Sequence, residues 1–378
     1  MVTFPEKGYV FWSVGNGEST TAVVDSETIV QLDLNHCSEA GNDPTRLPII
    51  DELVANLPER GDKKYLAAFG LSHGDADHCR GFKRLLKDED VLIGDLWFSP
   101  RILFERDDLS DDAKAFCAEA DRRIEINRNG EAESGDRIRI IGDADALDEY
   151  SDLPDECFTR PGEWFSAIDG EDREGEFHAF VHAPLKEDAE RERNATSIAM
   201  KITVYDGAAA GRAIIFGDLH HETLKRVFDQ GDADSLEWNI FLAPHHCSDS
   251  AMFVEPEGGG ERVLDTKIMG RFESAGTSPT YVVSSSTAFP SANKHADNPP
   301  HIRARDEYEK ITGHFECTGE WPNAEEPEPM VFEFVDSQLT LREPAGAKAA
   351  VDVAVATAIA RGDQQTPAQR HGYGNSSD

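Results

Sequence analysis

Positive charge is scarce in this chain. Its 378 residues carry 37 lysines and arginines against 73 aspartates and glutamates, a formal net charge of −36, and only 13 of the cations are lysines. So acidic a surface repels phosphate backbones and anionic lipid, which argues against a broad duplex-binding face. It suits a salty cytoplasm. It leaves room for a small pocket in which bound cations supply local positive charge. Long apolar runs are missing too. Nothing approaches the roughly 20 consecutive apolar residues of a membrane span. The opening "MVTFPEKGYVFW" lacks the basic start and apolar stretch of a signal peptide. The expectation is a soluble, cytoplasmic protein with no membrane partner. The six cysteines are scattered and form no CxxC pair, which disfavours a zinc ribbon and a disulfide framework. They read as small, buried, reduced residues.

What is present is an α/β pattern without internal repeats, with 39% apolar residues, long enough for one large domain or two modest ones. "GYVFWSVG", "TTAVVD" and "TIVQLDLN" read as strands, the first two separated by the turn "GNGES". "LPIIDELVANLPERG" is an amphipathic helix with Pro48 near its start and Gly61 after its end. "KYLAAFGLSH" is an apolar strand, and "CRGFKRLLKD" the helix after it. Residues 105–130 are charged and helical, and "GEAESGDRIRIIG" is a turn and strand. The acidic, Pro/Gly-containing stretch 143–177 reads as a surface insertion. Then come the strand "FHAFVHAP", a hairpin of "NATSIAMKITVYDG" and "GRAIIFGDLH", the helix "HETLKRVFDQ", and the strands of "WNIFLAPHHCSDS" and "TYVVSSSTAF". The expected boundaries are a main domain over 1–322, a hairpin and Ala/Val-rich helix over 323–360, and a disordered tail over 361–378.

Three of these strands end in possible metal ligands. "LSHGDADHCRGF" packs His73, Asp75, Asp77 and His78 into six positions at a strand-to-helix junction, where α/β proteins place sites. Asp218 follows "AIIFG", and His245 and His246 follow "FLAP". Clustered imidazoles and carboxylates inside a fold need counter-charge, and divalent cations supply it most simply. One such loop can serve two ions, and Asp218 is placed to bridge them, although it can equally cap the following helix. Neighbouring histidines on an extended strand end face opposite ways, so one of His245 and His246 becomes a ligand and the other an acid/base or supporting residue. His220 and His221 belong with the helix start, and Glu222 either orients a ligand or favours the helix N-terminus. Ser248, Asp249 and Ser250 either touch a substrate or serve the loop.

Those segments, in that order, resemble the metallo-β-lactamase superfamily. "HGDADH" is the HxDxDH variant of its HxHxDH signature. "FWSVGNGEST", "VQLDLN", "NATSIAMKI", "IIFGDL" and "LAPHHCSDS" are similar to segments of the hydrolase domain of ComEC-type DNA-uptake proteins, over roughly residues 8 to 320. The resemblance implies a four-layer αββα sandwich with two divalent metal ions at one edge, zinc or manganese, with magnesium possible. His73 and Asp75 would hold one ion. Asp77, His78 and His246 would hold the other, and Asp218 would bridge. The chain departs from the pattern in several places. Asn35 and Cys247 stand where glycine is usual. No histidine occurs near Asn194 to Ser197, and His182 comes too early to replace it. The usual His-Pro pair after the last core strand is Asn298–Pro299, with His295 and His301 nearby. The transmembrane part of the ComEC type is missing.

The expected chemistry is hydrolysis of a phosphodiester by a metal-bound hydroxide, with Asp77 and His245 as the catalytic residues and His245 protonating the leaving group. Asp75 in place of a histidine makes the ligand set oxygen-rich and tilts it toward manganese or magnesium. The expected substrate is nucleic acid or a small nucleotide; the charge of −36 favours a short or cyclic one. The alternatives are a lactone, ester or amide hydrolase, and a non-catalytic, partner-dependent component.

Overall fold

The computed structural model describes residues 2–37, 46–104, 109–142, 150–186, 193–290 and 297–344. The first part of the chain supplies strands β1 (Gly8–Phe11), β2 (Thr20–Val23), β3 (Ile29–Leu32), β4 (Lys63–Leu71), β5 (Leu92–Phe98), β6 (Arg137–Ile141) and β7 (Phe158–Thr159). The second supplies β8 (Trp164–Phe165), β9 (Phe177–Ala183), β10 (Ala199–Asp206), β11 (Ala209–Ile215), β12 (Trp238–Leu242), β13 (Gly276–Ser284) and β14 (His314–Cys317). Two more, β15 (Met330–Val335) and β16 (Gln338–Leu341), close the described chain. The sequences "GYVF", "TTAV" and "IVQL" are buried at every position. They are near-continuous runs of aromatic and β-branched residues, because both faces of their sheet are covered.

The strands form two large sheets. The first runs β16-β15-β1-β2-β3-β4-β5-β6-β7 and the second β14-β13-β12-β11-β10-β9-β8. Between them lies a core containing Tyr9, Phe11, Trp97, Phe177, Ile202, Val283 and Phe332. On the outer face of the first sheet, Ile50, Leu53, Phe82 and Phe116 come from the helices Ile49–Asn56, Phe82–Lys87 and Asp111–Arg128. On the outer face of the second, Leu224, Phe228, Phe272 and Tyr308 come from the helices His221–Gln230, Thr266–Ala275 and Ile302–Ile311. The expected αββα sandwich is therefore present. Burying a single Phe or Leu in these layers contributes roughly 1.5–3 kcal/mol.

Each sheet has a parallel half, β3 to β7 in the first and β11 to β14 in the second. Side chains following parallel strands gather at their carboxyl ends. The chain leaves β4 into Ser72–His78, β11 into Asp218, and β12 into His245–Cys247. A backbone bond from Ile198 N to Ser72 O, 3.0 Å, joins the two sheets at that edge.

Two expectations change. The described part of 143–177, residues 150–177, is not a surface insertion. β7 pairs with β6 in the first sheet and β8 with β9 in the second, so the segment crosses between them. Phe165 and Ile168 enter the inter-sheet core. The buried carboxylate of Asp169 accepts from Arg60 (2.9 Å), Tyr65 (2.7 Å) and Ser134 (2.5 Å). Nor does the chain divide at 322. β15 pairs with β1, Phe332 and Met330 lie in the inter-sheet core, and the compact unit runs to Arg342. The helix expected near 347–360 and the tail from 361 lie outside the described residues.

Candidate metal centre

Three turns deliver the side chains. After β4 the backbone continues through His73 into a single helical turn, Ala76–Cys79, with Asp75 at its N-cap. After β11, Gly217 adopts a left-handed φ of +52°, and a Cβ there would lie 3.0 Å from the Ser197 Cβ. After β12, His245, His246 and Cys247 take φ of 49°, 54° and 63°. The two histidines are thus not on an extended strand, as alternation would have it. Three successive left-handed non-glycine residues cost on the order of 1–3 kcal/mol each and persist only where their surroundings impose them. A hydrogen bond from His245 N to Gly217 O, 3.0 Å, fastens the second turn to the third.

The structure brings together all of His73, Asp75, Asp77, His78, Asp218, His245 and His246. Asp218 stands at the middle with its two oxygens facing different partners. Its Oδ2 lies 3.8 Å from His73 Nε2 and 3.7 Å from His245 Nε2. Its Oδ1 lies 3.3 Å from His78 Nε2 and 3.6 Å from His246 Nε2. Asp75 Oδ2 is 3.5 Å from His73 Nε2, and Asp77 Oδ2 is 3.3 Å from His246 Nε2. Two groups emerge, His73–Asp75 and Asp77–His78–His246, on opposite oxygens of one carboxylate.

Do these residues fit divalent ions? His73 Nε2, His78 Nε2, His246 Nε2 and Asp218 Oδ1 are buried and, although within ion-pair range of one another, have no hydrogen-bond partner. Buried polar atoms are normally satisfied, and leaving one unpaired costs about 1–3 kcal/mol. Four such atoms aimed at a shared centre are what a cation would satisfy. His73, His78 and Asp218, and separately Asp77, His78 and His246, have donor atoms within 4.8 Å of one another, close enough to share an ion.

The charges interlock. Burial works against ionised Asp218, yet His246 and His78 hold its carboxyl well below the usual range. Burial likewise opposes ionised Asp77, but His246 and His78 bring it down to about 2. Against burial, Asp218 and Asp33 hold His78 well above the ordinary histidine value, and Asp218 and Asp77 raise His246. Protonated rings here stand in electrostatically for cations.

Supporting residues were not foreseen. Asp33, just past β3, accepts from Ser72 N (2.7 Å) and Ser72 Oγ (2.6 Å) and lies 2.7 Å from His78 Nδ1. A carboxylate on Nδ1 keeps the proton there and turns the Nε2 lone pair toward the centre. Ser197, where the superfamily's strand histidine was sought, places its hydroxyl 3.3 Å from His73 Nδ1. His220 stacks on His245, with Nε2 and Nδ1 3.2 Å apart and ring centres at 5.2 Å. The "GNGES" turn also reaches the centre, and the buried Glu18 carries an unpartnered Oε1.

Other residues singled out in the sequence serve elsewhere. His182, on β9, packs against Phe180 and Phe216, and burial pushes it down to about 3. His301 Nδ1 accepts from Asp249 N at 2.9 Å. Asp249 pairs with Arg262 at 2.8 Å and with Arg303. Ser248 accepts from Ser250 N at 3.2 Å. His301, Asp249 and the two serines thus shape the loop after His246. His221 pairs with Asp265 at 2.9 Å at the helix start, and His295 lies outside the described residues. All six cysteines are free and buried.

No protein-family model and no curated protein matches the chain. Solved structures do. One is the Rm3 metallo-β-lactamase, at 13% identity and a TM-score of 0.33, covering 63% of this chain and 76% of that one. Another is the metallo-β-lactamase SMB-1 bound to 2-mercaptoethanesulfonate, at 12% identity and a TM-score of 0.29, covering 64% of this chain and 79% of that one. Both overlaps are loose.

Proposed function

We propose that the chain is a metal-dependent hydrolase of phosphodiesters, acting on nucleic acid or small nucleotides. The observation that carries the metal-dependent part is the set of unpartnered buried atoms, His73 Nε2, His78 Nε2, His246 Nε2 and Asp218 Oδ1, gathered around the Asp218 carboxylate. Two divalent ions, when bound there, supply an acidified water and positive charge for phosphoryl oxygens. His73, Asp75 and Asp218 would hold one, and Asp77, His78, His246 and Asp218 the other. Asp33 holds His78 in its orientation.

Two features support phosphodiesters over lactones or esters. The three carboxylates Asp75, Asp77 and Asp218 make the ligand set oxygen-rich, suited to the hard, oxygen-preferring metals that bind phosphoryl oxygens. Beside the centre lies an open groove of about 990 Å³, large enough for a nucleotide and bordered by Lys225, Arg226 and Arg262 as well as by Glu222 and Glu255. The stacked pair of His245 and His220 leads from Asp218 to that groove. Burial pushes His245 down to about 4, against the pull of Asp218. The ring is therefore neutral at pH 7, and in this reading its Nε2–H protonates the leaving group while Nδ1 takes up a proton from His220 Nε2, which is resupplied by water in the groove.

The test is hydrolysis of bis(p-nitrophenyl) phosphate and of a simple lactone by chain loaded with Mn²⁺ or Zn²⁺. Phosphodiester cleavage that disappears in the Asp77→Ala/His78→Ala double variant is expected. Cleavage of the lactone alone would replace the substrate reading. A chain that takes up no metal and cleaves neither would be a non-catalytic component.

A further inference from the structure

We propose that Glu18 is a further ligand, completing the ion site of Asp77, His78 and His246 and making the two metal sites unequal. This rests on the metal-centre reading above and adds to it a residue from a part of the chain outside the three ligand turns.

The turn between β1 and β2 is built against the centre. Glu18 N donates to Asp77 O at 3.2 Å, and Gly17 N lies 3.3 Å from His246 Nδ1. Ser285 Oγ donates to Gly17 O at 2.7 Å, and Asn16 Nδ2 donates to Pro299 O at 2.8 Å. Gly17 has φ +143°, and a Cβ on it would lie 2.1 Å from Asn35 Nδ2 and 2.6 Å from Asp77 O. Only glycine allows so close an approach. The turn is thus bonded to one ligand segment and packed against another, and the next side chain, Glu18, is directed inward.

That side chain is 2% exposed, and its Oε1 has no hydrogen-bond partner. A carboxylate oxygen of Glu18 lies within 4.8 Å of donor atoms of Asp218 and His246, and likewise of Asp33 and His78. The charged groups that act on it most strongly are two histidines and two further acids, His78, Asp33, His246 and Asp218. A buried carboxylate among other carboxylates is costly unless a cation is shared between them. Of these neighbours His78 and Asp218 are shared with His73, but His246 belongs to the Asp77 side of the centre, and that contact places Glu18 there.

The consequence is asymmetry. One site gathers Asp77, His78, His246, Asp218 and Glu18, five protein donors of which three are oxygen. The other gathers His73, Asp75 and Asp218, with Ser197 where the superfamily's strand histidine was sought. Five donors rich in oxygen suit a six-coordinate manganese or magnesium ion better than tetrahedral zinc. The first equivalent of Mn²⁺ therefore fills the Glu18 side tightly, and the second binds more weakly.

The experiment is Mn²⁺ titration of the full chain by calorimetry and chelator competition, with thermal unfolding measured with and without the metal. Wild type is expected to bind in two steps. Glu18→Gln, which keeps the shape and removes the charge, is expected to weaken the tighter step by about 10–100-fold and leave the weaker step unchanged. Metal-free Glu18→Gln is expected to melt no lower than wild type, because glutamine fills the same space and Oε1 makes no hydrogen bond that the change would break, while its gain in Tm with Mn²⁺ shrinks. Glu18→Asp, which retains a carboxylate on a shorter arm, is expected to fall between the two. Two-step binding by wild type with both steps unaltered in Glu18→Gln would overturn the assignment and leave the metal centre standing. Absence of Mn²⁺ binding by wild type would overturn both.

Discussion

Asp33 illustrates how much one side chain carries here. It sits at φ 51°, outside the strand that precedes it, and binds Ser72 through both oxygens while holding His78 Nδ1 at 2.7 Å. Asp33→Asn keeps the size and one acceptor oxygen but loses the charge that fixes the His78 proton. Divalent-metal affinity, read by chelator competition, should fall about 10–100-fold with little change in fold; a fall below about threefold would show that His78 needs no such partner. Neither Asp33 nor Glu18 was singled out in the sequence, and the reason is statistical. Among 73 acidic residues a lone carboxylate carries no signal. His73, Asp75, Asp77, His78, Asp218, His245 and His246 were legible because donor residues cluster immediately after apolar runs. That regularity is local and survives without coordinates.

At the level of elements, the C-terminal hairpin β15–β16 is the informative case. Its alternating sequence was read correctly as a hairpin, but its place was not. Met330, Phe332 and Leu339 enter the core between the sheets, and β15 completes the edge of β1. Ending the chain after residue 329 removes three buried side chains worth roughly 1.5–3 kcal/mol each and exposes the β1 edge, against a total stability of roughly 5–15 kcal/mol. That truncation should be insoluble or unfolded by circular dichroism. Ending after 344 should leave Tm within a few degrees of the full chain. A well-folded 1–329 chain would mean the hairpin is an accessory. The same long-range pairing explains residues 150–177. Their acidic, Pro/Gly-containing composition is that of a loop, and only the partner strands β6 and β9 make β7 and β8 what they are.

Over the whole molecule, the net charge of −36 is a standing repulsion. Screening shortens its reach, since the Debye length falls from about 10 Å at 0.1 M to about 3 Å at 1 M salt. Raising KCl from about 0.1 to about 1 M should therefore raise the Tm of the metal-free chain by several degrees. A Tm that falls over that range would show that the local ion pairs, Asp249 with Arg262 and Arg303 among them, outweigh the overall excess.

Hydrophobic period and residue chemistry are properties of neighbours in the chain, and they already specify most of the strands, most of the helices and the donors that follow the strands. Folding in three dimensions assigned the rest. It turned His245, His246 and Cys247 left-handed, split the two oxygens of Asp218 between two sets of partners, and pressed the Gly17 turn against Asp77 so that Glu18 faces inward. Each of those outcomes depends on contacts between residues tens to hundreds of positions apart, and no short-range pattern encodes them.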